Sequence, residues 1–443
     1  MSILGNLLDR AVPARLGRNF RWLLGSSWIS NLGDGIVLAA GPLLVASLTD
    51  DARLVALAAT LQWLPPLLFS LVAGVVSDRV SRRRIMVVGN LARVVVLAVL
   101  TTAVLTGSAS IAVVLVVLFL LGCSEVFVDN TASTLVPMLV AKKDLATANS
   151  RVMTGVVTVN QLAGPTVGAA LFALGSAVPF ATQTLLVAAA LLLLLRVRLP
   201  AIERPTEQRR IHHDLLEGLR WSVRHPAVRT LVLTIFIFNI TFGAAWSVLV
   251  LYAQDQLGLG DIGFGLLTTV GAAGGLLGTA SYGWLTRRLA LGQLMRIGLI
   301  IETLTHAALA LTHTGWVAMV IMFVFGAHAF VWGTTSMTVR QRVVPHALQG
   351  RVNGVNSVGV FGGLVLGSVI GGSLAEHYGV AAPFWFAAAG SALFVVLIWG
   401  QLRYIDHEDA AADEDAGDDE AAGEDAAGQD AAGEDVAGDG PKG

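Results

Sequence analysis

The chain has 443 residues, 55% of them hydrophobic and only 14% charged. Soluble globular domains carry about 25% charged residues, so that class is excluded and a membrane-embedded protein is indicated. The formal net charge of −2 conceals two opposed parts. From Asp406 onward there are 15 acidic residues and one Lys, whereas the rest holds 28 Lys+Arg against 16 Asp+Glu, a net +12.

Residues 1–19, with Asp9, Pro13 and three arginines, lack the apolar core of a cleavable signal peptide and are expected to form a cytoplasmic N-terminal segment. Twelve apolar segments follow, near 20–48, 54–77, 85–106, 110–139, 148–174, 178–197, 228–254, 262–286, 292–312, 316–340, 350–375 and 380–402. Each is long enough for a helix across a bilayer, which takes roughly 20 apolar residues. The connections alternate in character. One set reads TDDAR, TGSAS, LGSAVP, QDQLGLGD, THTGW and EHYGV, and the other contains SDRVSRRR, VAKKDLA, TRRLALGQ and RQRVVPHALQGR. Of the 28 basic residues before the tail, only Arg53 and Arg93 lie outside the second set, its flanks and the chain ends. The positive-inside rule then places both termini in the cytoplasm, in a multi-pass protein of the cell's inner membrane.

An even number of spans with a basic loop in the middle suggests two six-helix bundles, residues 20–197 and 228–402. The loop between them, 198–227, contains "IHHDLLEGLRWSVRHPAV", which has the pattern of an amphipathic helix on the cytoplasmic surface. Internal repetition supports the duplication. "SWISNLGDG" faces "FIFNITFGA", "AGVVSDRVSRRR" faces "ASYGWLTRRL", and "GPTVGAALFALGSAVPF" faces "GSVIGGSLAEHYGVAAPF", at offsets of roughly 203 to 209 residues. The tail, 403–443, is acidic and of low complexity and is expected to be disordered.

The knot "AGVVSDRVSRRRIMVVGNLAR" carries five arginines and one aspartate between long apolar runs. Topology explains the arginines but not the acid. With twelve spans and two halves, "GVVSDRVSRRR" after the second span resembles the major facilitator superfamily and its G-x-x-x-D-R/K-x-G-R-R/K signature. The matching residues are Gly74, Asp78, Arg79, Arg82 and Arg83, with Ser81 where the family prefers glycine. "AGPTVGAA" in the fifth span, with Gly164, Pro165 and Gly168, resembles the G-P-x-x-G motif of that superfamily's exporters. "FRWLLGSSWISNLGDG" and "RQRVVPHALQGRVNG" are similar to the branch containing bacterial siderophore exporters and macrolide-type drug exporters. The resemblance implies an all-α fold of two bundles related by a pseudo-twofold axis. It also implies a gating role for Asp78 and Arg79, in a cytoplasmic charge network that locks the halves.

Ionisable residues inside spans are expensive and by default face a cavity or a partner. They are Asp34, Arg93, Glu125, Asp129, Glu302, His306 and His328. At about 1.5 Å rise per residue, Asp34 and Glu125 lie about 21 Å from the cytoplasmic ends, near the membrane centre, and Arg93 and Asp129 at roughly 12 to 15 Å. Glu125 and Asp129 are i,i+4 and share a helical face. This arrangement pairs Arg93 with Asp129 and leaves Asp34 and Glu125 less compensated, as proton or substrate sites. Glu302 joins them as a candidate, whereas His306 and His328 are read as packing residues. Asn31, Gln62, Asn160, Gln161 and Asn239 are expected to line the cavity, with Trp63, Trp246 and Trp332 as stacking surfaces.

Proton-coupled drug exporters of the superfamily often carry an arginine in the fourth span; this one has two acids instead. There is no G-x-x-x-x-G-K-[ST] loop and no usable catalytic arrangement, so neither an enzyme nor an ATP-driven pump is indicated. "HHD" at 212–214 reads as a solvated helix face and not as a metal site. With a single cysteine, Cys123, a cysteine-cluster metal site and a disulfide framework are also excluded. The expectation is a monomeric, proton-coupled exporter of small amphipathic organic molecules, without cofactor, metal or nucleic-acid partner. Export of a siderophore or endogenous metabolite, and lipid flipping on the same scaffold, are the alternatives.

Overall fold

Long apolar stretches with alternately charged and neutral connections fold into antiparallel helices because lipid leaves every backbone N–H and C=O to be satisfied within the segment. The computed structural model describes residues 14–198, 211–345 and 348–401, with the side chains of residues 14, 78, 211 and 212 outside the described set. The tail expected to be disordered and residues 1–13 also lie outside it. The first half comprises α1 (Arg18–Leu48), α2 (Ala52–Arg79), α3 (Arg82–Leu105), α4 (Ile111–Leu139), α5 (Leu145–Leu174) and α6 (Val178–Leu194). The second comprises α7 (Pro226–Gln256), α8 (Asp261–Thr286), α9 (Leu291–Leu311), α10 (Gly315–Val343), α11 (Gln349–Tyr378) and α12 (Ala382–Ile398). A linker helix, Ile211–Arg224, lies between them, where the sequence pattern placed an amphipathic helix.

Local chemistry sets the ends. The Asp51 carboxylate accepts from the Arg53 N–H at 2.8 Å and caps α2. The Arg53 guanidinium on the same carboxylate holds its pKa below the ordinary aspartate value. Ser110 caps α4 through the Val113 N–H. Prolines open α6, α7 and α12, in the first turn, where a missing N–H costs nothing.

Two of the helices are not uniformly α-helical. In α5 the stretch Val156–Ala163 is wound as a π-helix before Gly164 and Pro165. Pro165 has no N–H for the preceding turn, and the carbonyl of Leu162 accepts from Thr269 Oγ1 of α8 at 3.0 Å. In α7 the α-helix stops at Trp246, turns at Ser247–Val248 and resumes as Leu249–Leu251 and a π-turn, Tyr252–Gln256. The Ser247 hydroxyl there donates to the Ala244 carbonyl at 3.1 Å. Irregular turns of this kind recur at functional sites in helices.

Glycines make the intimate contacts within each half. A methyl group on Gly168 would overlap the Ile36 carbonyl of α1, and one on Gly371 the Ala244 carbonyl of α7, at equivalent places in the two halves. Gly274 and Gly278 likewise press α8 against the backbone of α10. These glycine contacts are largely packing within a half; Gly265 beside the Pro165 carbonyl, Gly354 beside Leu71 and Gly372 beside Ala56 and Arg53 face across the seam.

The halves meet along two helix pairs. Down the α2–α11 pair, the Ala52 N–H donates to Glu376 at 3.0 Å, Arg53 lies 3.6 Å from the same carboxylate, and the Thr60 and Ser368 hydroxyls are 2.6 Å apart. Between α5 and α8 the Thr166 and Thr269 hydroxyls are 2.8 Å apart. At the end of the molecule away from the basic loops, one apolar core crosses the seam, with Leu43, Val45 and Val55 from one half and Val250, Leu251 and Phe264 from the other. At the basic end the cores are separate, one spanning Leu16 to Val197 and another Leu231 to Ile398. The apolar core is thus continuous across the seam at one end and split at the other, where Leu71 of α2 still packs on Gly354 of α11.

Gly168→Val forces a branched side chain into the Ile36 backbone and is expected to destabilise by about 1–3 kcal/mol or more. Gly283→Ala, with nothing within 4 Å of the added carbon, is the control. Thermal unfolding in detergent should show a lowered midpoint for the first and none for the second; equal midpoints would contradict the close α1–α5 contact.

Candidate transport site

In the first half, the largest fully buried side chain is a charged one: Arg93 of α3 is 1% exposed. Its Nη1 donates to Ser30 Oγ at 3.0 Å and lies 3.4 Å from Asn90 Oδ1. Its Nη2 pairs with Asp34 Oδ1 and lies 3.5 Å from Glu125 Oε1. Asp34 also accepts from Gln183 Nε2 of α6 at 3.3 Å and from its own-helix Ser30 hydroxyl at 3.4 Å. Four helices therefore converge on one ion cluster.

This corrects the pairing expected from depth. Arg93 goes to Asp34 and Glu125, not to Asp129. Depth along a helix carries no azimuth: Ser30 and Asp34, four residues apart, form one face of α1 and present two acceptors to the guanidinium. Asp129 lines the same cavity, one turn from Glu125. Gln183 was not foreseen, although a lone amide in an otherwise apolar helix was its signal in the sequence; it is fully buried.

The cluster borders a cavity of about 250 Å³ that contains Asn31, Asp34, Gln62, Glu125, Asp129 and Asn160 in its wall. The polar residues are held in place: Asn31 Nδ2 donates to the Ser27 carbonyl at 2.8 Å and Asn160 Nδ2 to the Asn31 carbonyl at 3.2 Å. Through Leu38, Gln62 and Trp63 this cavity adjoins a larger one of about 450 Å³ between the halves, walled by Gln161, Pro165, Phe242, Trp246 and Phe325. Trp28 is not in either wall; its indole donates to the Arg151 carbonyl at 3.0 Å and joins α1 to α5.

The second half has its own acid. Glu302 of α9 is 8% exposed, well inside the helix, with His328 Nε2 of α10 at 2.9 Å and His306 Nε2 at 3.4 Å. The two rings are at ion-pair distance but off the hydrogen-bond axis. The histidines read as packing residues thus sit on the candidate acid. Glu302, His328 and Asn239 line a pocket of about 180 Å³ that shares Phe242, Phe325 and Ala329 with the central cavity.

A family model described as "transmembrane secretion effector" matches residues 13–422. The chain belongs to that family, within the major facilitator superfamily. It is similar to the multidrug efflux pump Tap of Mycolicibacterium fortuitum, at 28% identity over 378 residues, covering 82% of this chain and 90% of that protein. It is also similar to the enterobactin exporter EntS of Shigella boydii serotype 4 (strain Sb227), at 25% identity over 390 residues, covering 85% and 89%. The fold matches a bacterial homologue of the iron transporter ferroportin in its inward-facing state, with TM-score 0.68 at 18% identity, over 87% of this chain and 98% of that one. For the same homologue facing outward the TM-score is 0.56 at 19% identity, over 87% and 99%.

The superfamily's loop motif occupies the α2–α3 connection. Arg83 Nη2 donates to the Leu195 carbonyl at the end of α6, at 3.0 Å, and Arg82 reaches Met138 Sδ of α4 at 3.1 Å. These contacts stay within the first half. Gly74 lies in α2 with open space around it, and Arg79 is exposed. Asp78 closes α2, and its side chain, with the gating role expected of it, falls outside the described residues. The exporter motif reaches the seam through the Pro165 carbonyl, beside Gly265 of α8, while Gly164 packs against Gly35 of α1 in its own half. On the linker helix the ligand atoms of His213, Asp214 and Glu217 lie within 4.8 Å of one another, but Arg351 of α11 takes both carboxylates, at 3.1 and 2.8 Å. That grouping is a clamp tying the linker helix to α11.

Arg93→Met leaves three acids in the cavity without their guanidinium and is expected to cost about 3–5 kcal/mol, as for other buried pairs broken on one side. Adding Asp34→Asn should restore a large part of the loss. A double-variant cycle read by thermal unfolding in detergent checks this; additive losses would mean that the two side chains do not interact.

Proposed function

We propose that this protein exports small amphipathic organic molecules from the cytoplasm by proton antiport. The observation that carries the reading is the acid-walled cavity around Asp34, Glu125 and Asp129, adjoining an apolar, aromatic cavity between two halves whose apolar core is continuous at one end only. Three carboxylates against one guanidinium leave a net charge of −2 unless protons or a cationic substrate join them, and charge of that size is unstable in a low-dielectric site. Proton and cation are then alternative occupants of one site, which is the requirement for exchanging them. The aromatic walls suit the apolar part of an amphipathic molecule.

The basic connections favour a cytoplasmic position for the end where the cores are split and for both termini. In that orientation the structure is the inward-facing form, in keeping with the higher similarity to the inward-facing ferroportin homologue than to its outward-facing form. Alternating access proceeds by rocking of residues 20–197 against 228–402 along the α2–α11 and α5–α8 seams. The basic ends close in the opposite state, where Asp78 and Arg79 meet the second half. The protein works as a monomer in the cytoplasmic membrane. Similarity to a multidrug efflux pump and to a siderophore exporter supports the export direction. A strongly anionic substrate would meet a basic cavity wall, and this one is acidic, so the drug-like class is preferred.

Transport is tested in inside-out vesicles with a fluorescent cationic drug outside and an acid-inside pH gradient. Wild-type vesicles should take up the drug, and an uncoupler or Asp34→Asn should each abolish uptake. Vesicles that ignore the gradient would remove the proton-antiport reading. A protease added to the same vesicles should cut the acidic tail; protection of the tail would reverse the orientation.

A further inference from the structure

The second half repeats the charged position of the first with its signs exchanged. Arg93 of α3 and Glu302 of α9 are 209 residues apart, Glu125 of α4 and His328 of α10 are 203 apart, and both separations match the internal repeat. In each half these residues face each other across neighbouring helices. In the first half the partner of the acids is a guanidinium, charged at every physiological pH. In the second half the acid has only imidazoles, and imidazole is the side chain whose charge changes in the physiological range.

Around Glu302 every facing group is accounted for. Its own helix contributes His306, α10 contributes His328 and Trp332, and α7 contributes Asn239; no Lys or Arg lines the pocket among the described residues. With both imidazoles neutral the cluster carries −1, and a single proton brings it to zero. The rest of the wall is aromatic, from Phe238, Phe242, Phe325 and Trp332. Aromatic faces attract cations, most strongly where water is excluded. The buried Trp332 Nε1 and His328 Nδ1 have no hydrogen-bond partner in the protein.

The entrance is built from the same chemistry. Phe242 stacks on Trp246 at 4.2 Å between ring centroids and on Phe325 at 5.8 Å, and both phenyl rings also border the central cavity. A metal ion is the wrong occupant for this donor set. The imidazoles approach opposite oxygens of one carboxylate, Oε1 and Oε2, so three ligand atoms do not converge on a point.

We propose that this pocket is a binding subsite for an organic ammonium ion, held between the aromatic walls and the Glu302 carboxylate, and that a proton taken up by the Glu302–His306–His328 cluster displaces it. The subsite rests on the reading of the chain as a transporter of amphipathic molecules but not on the role given to Asp34. It adds to the first half's acid cavity a second place where a proton and a cation compete.

The test is equilibrium binding of benzyltrimethylammonium to the purified full-length protein in lipid nanodiscs at pH 6 and pH 8. Affinity should be about tenfold higher at pH 8, the range that one cation–π and ion contact supplies. Glu302→Gln should remove most of that affinity and flatten the remainder against pH. The double variant His306→Gln/His328→Gln should bind at pH 6 as tightly as at pH 8, a gain that a misfolded protein does not produce. Phe242→Leu should weaken binding at both pH values and keep their ratio. Saturable binding that is unchanged by Glu302→Gln, or a double variant that keeps the wild-type pH ratio, overturns the proposal, as does a wild-type protein that does not bind the probe. No gradient is applied, so failure of proton-driven export leaves this result standing, and a negative result here leaves the export experiment unaffected.

Discussion

The buried guanidinium of Arg93 is the constraint on which the first half is organised. A charge that is 1% exposed in a membrane protein has to be met from all sides. α1 supplies Ser30 and Asp34, α4 supplies Glu125, and α6 reaches the same point through Gln183 on Asp34. The cluster thereby helps to fix the azimuth of four helices, together with the hydrogen bonds of Trp28 to the Arg151 carbonyl and of Ser26 to the Ala190 carbonyl. It also brings three carboxylates into one cavity wall. Structural order and the proposed chemistry have the same origin, because the arginine that holds the bundle together satisfies only part of the negative charge it gathers.

The second half reaches a similar packing by another route. Glycine contacts recur at equivalent positions, Gly168 on α1 and Gly371 on α7, so the duplicated scaffold is conserved in its backbone approaches. The charged position is not duplicated in kind: Glu302 with two imidazoles stands where Arg93 and Glu125 stand in the first half. Symmetry of the scaffold with asymmetry of charge gives two pockets that open on one central cavity, through Gln62 and Trp63 on one side and Phe242 and Phe325 on the other.

The seam between the halves is packed differently along its length. A continuous apolar core and the Glu376 contacts to Ala52 and Arg53 hold the end away from the basic loops. Toward the basic end the cores part, and Arg82 and Arg83 of the loop motif bind elements of their own half. The π stretch before Gly164–Pro165 meets α8 through the Leu162 carbonyl, which accepts from Thr269. In the proposed cycle this junction is the place where rocking has to be absorbed.

Much of this was legible in the residues themselves. Hydropathy marks where helices lie, alternating charge sorts the connections into two sets, and repeats at near-constant offset mark a duplicated fold; each depends only on local composition. That Asp34, Glu125 and Asp129 each need a cavity or a partner was also legible, because ionisable side chains in a membrane interior are costly unless met. Pairing was not. Arg93 on Asp34, Gln183 behind it, and His306 and His328 on Glu302 depend on how each helix is rotated about its axis. Likewise the break in α7 at Ser247–Val248 and the π stretch of α5 reflect contacts made with other helices. In a chain this uniformly apolar the helical pattern carries little azimuthal information, so only the packed bundle decides which polar groups meet.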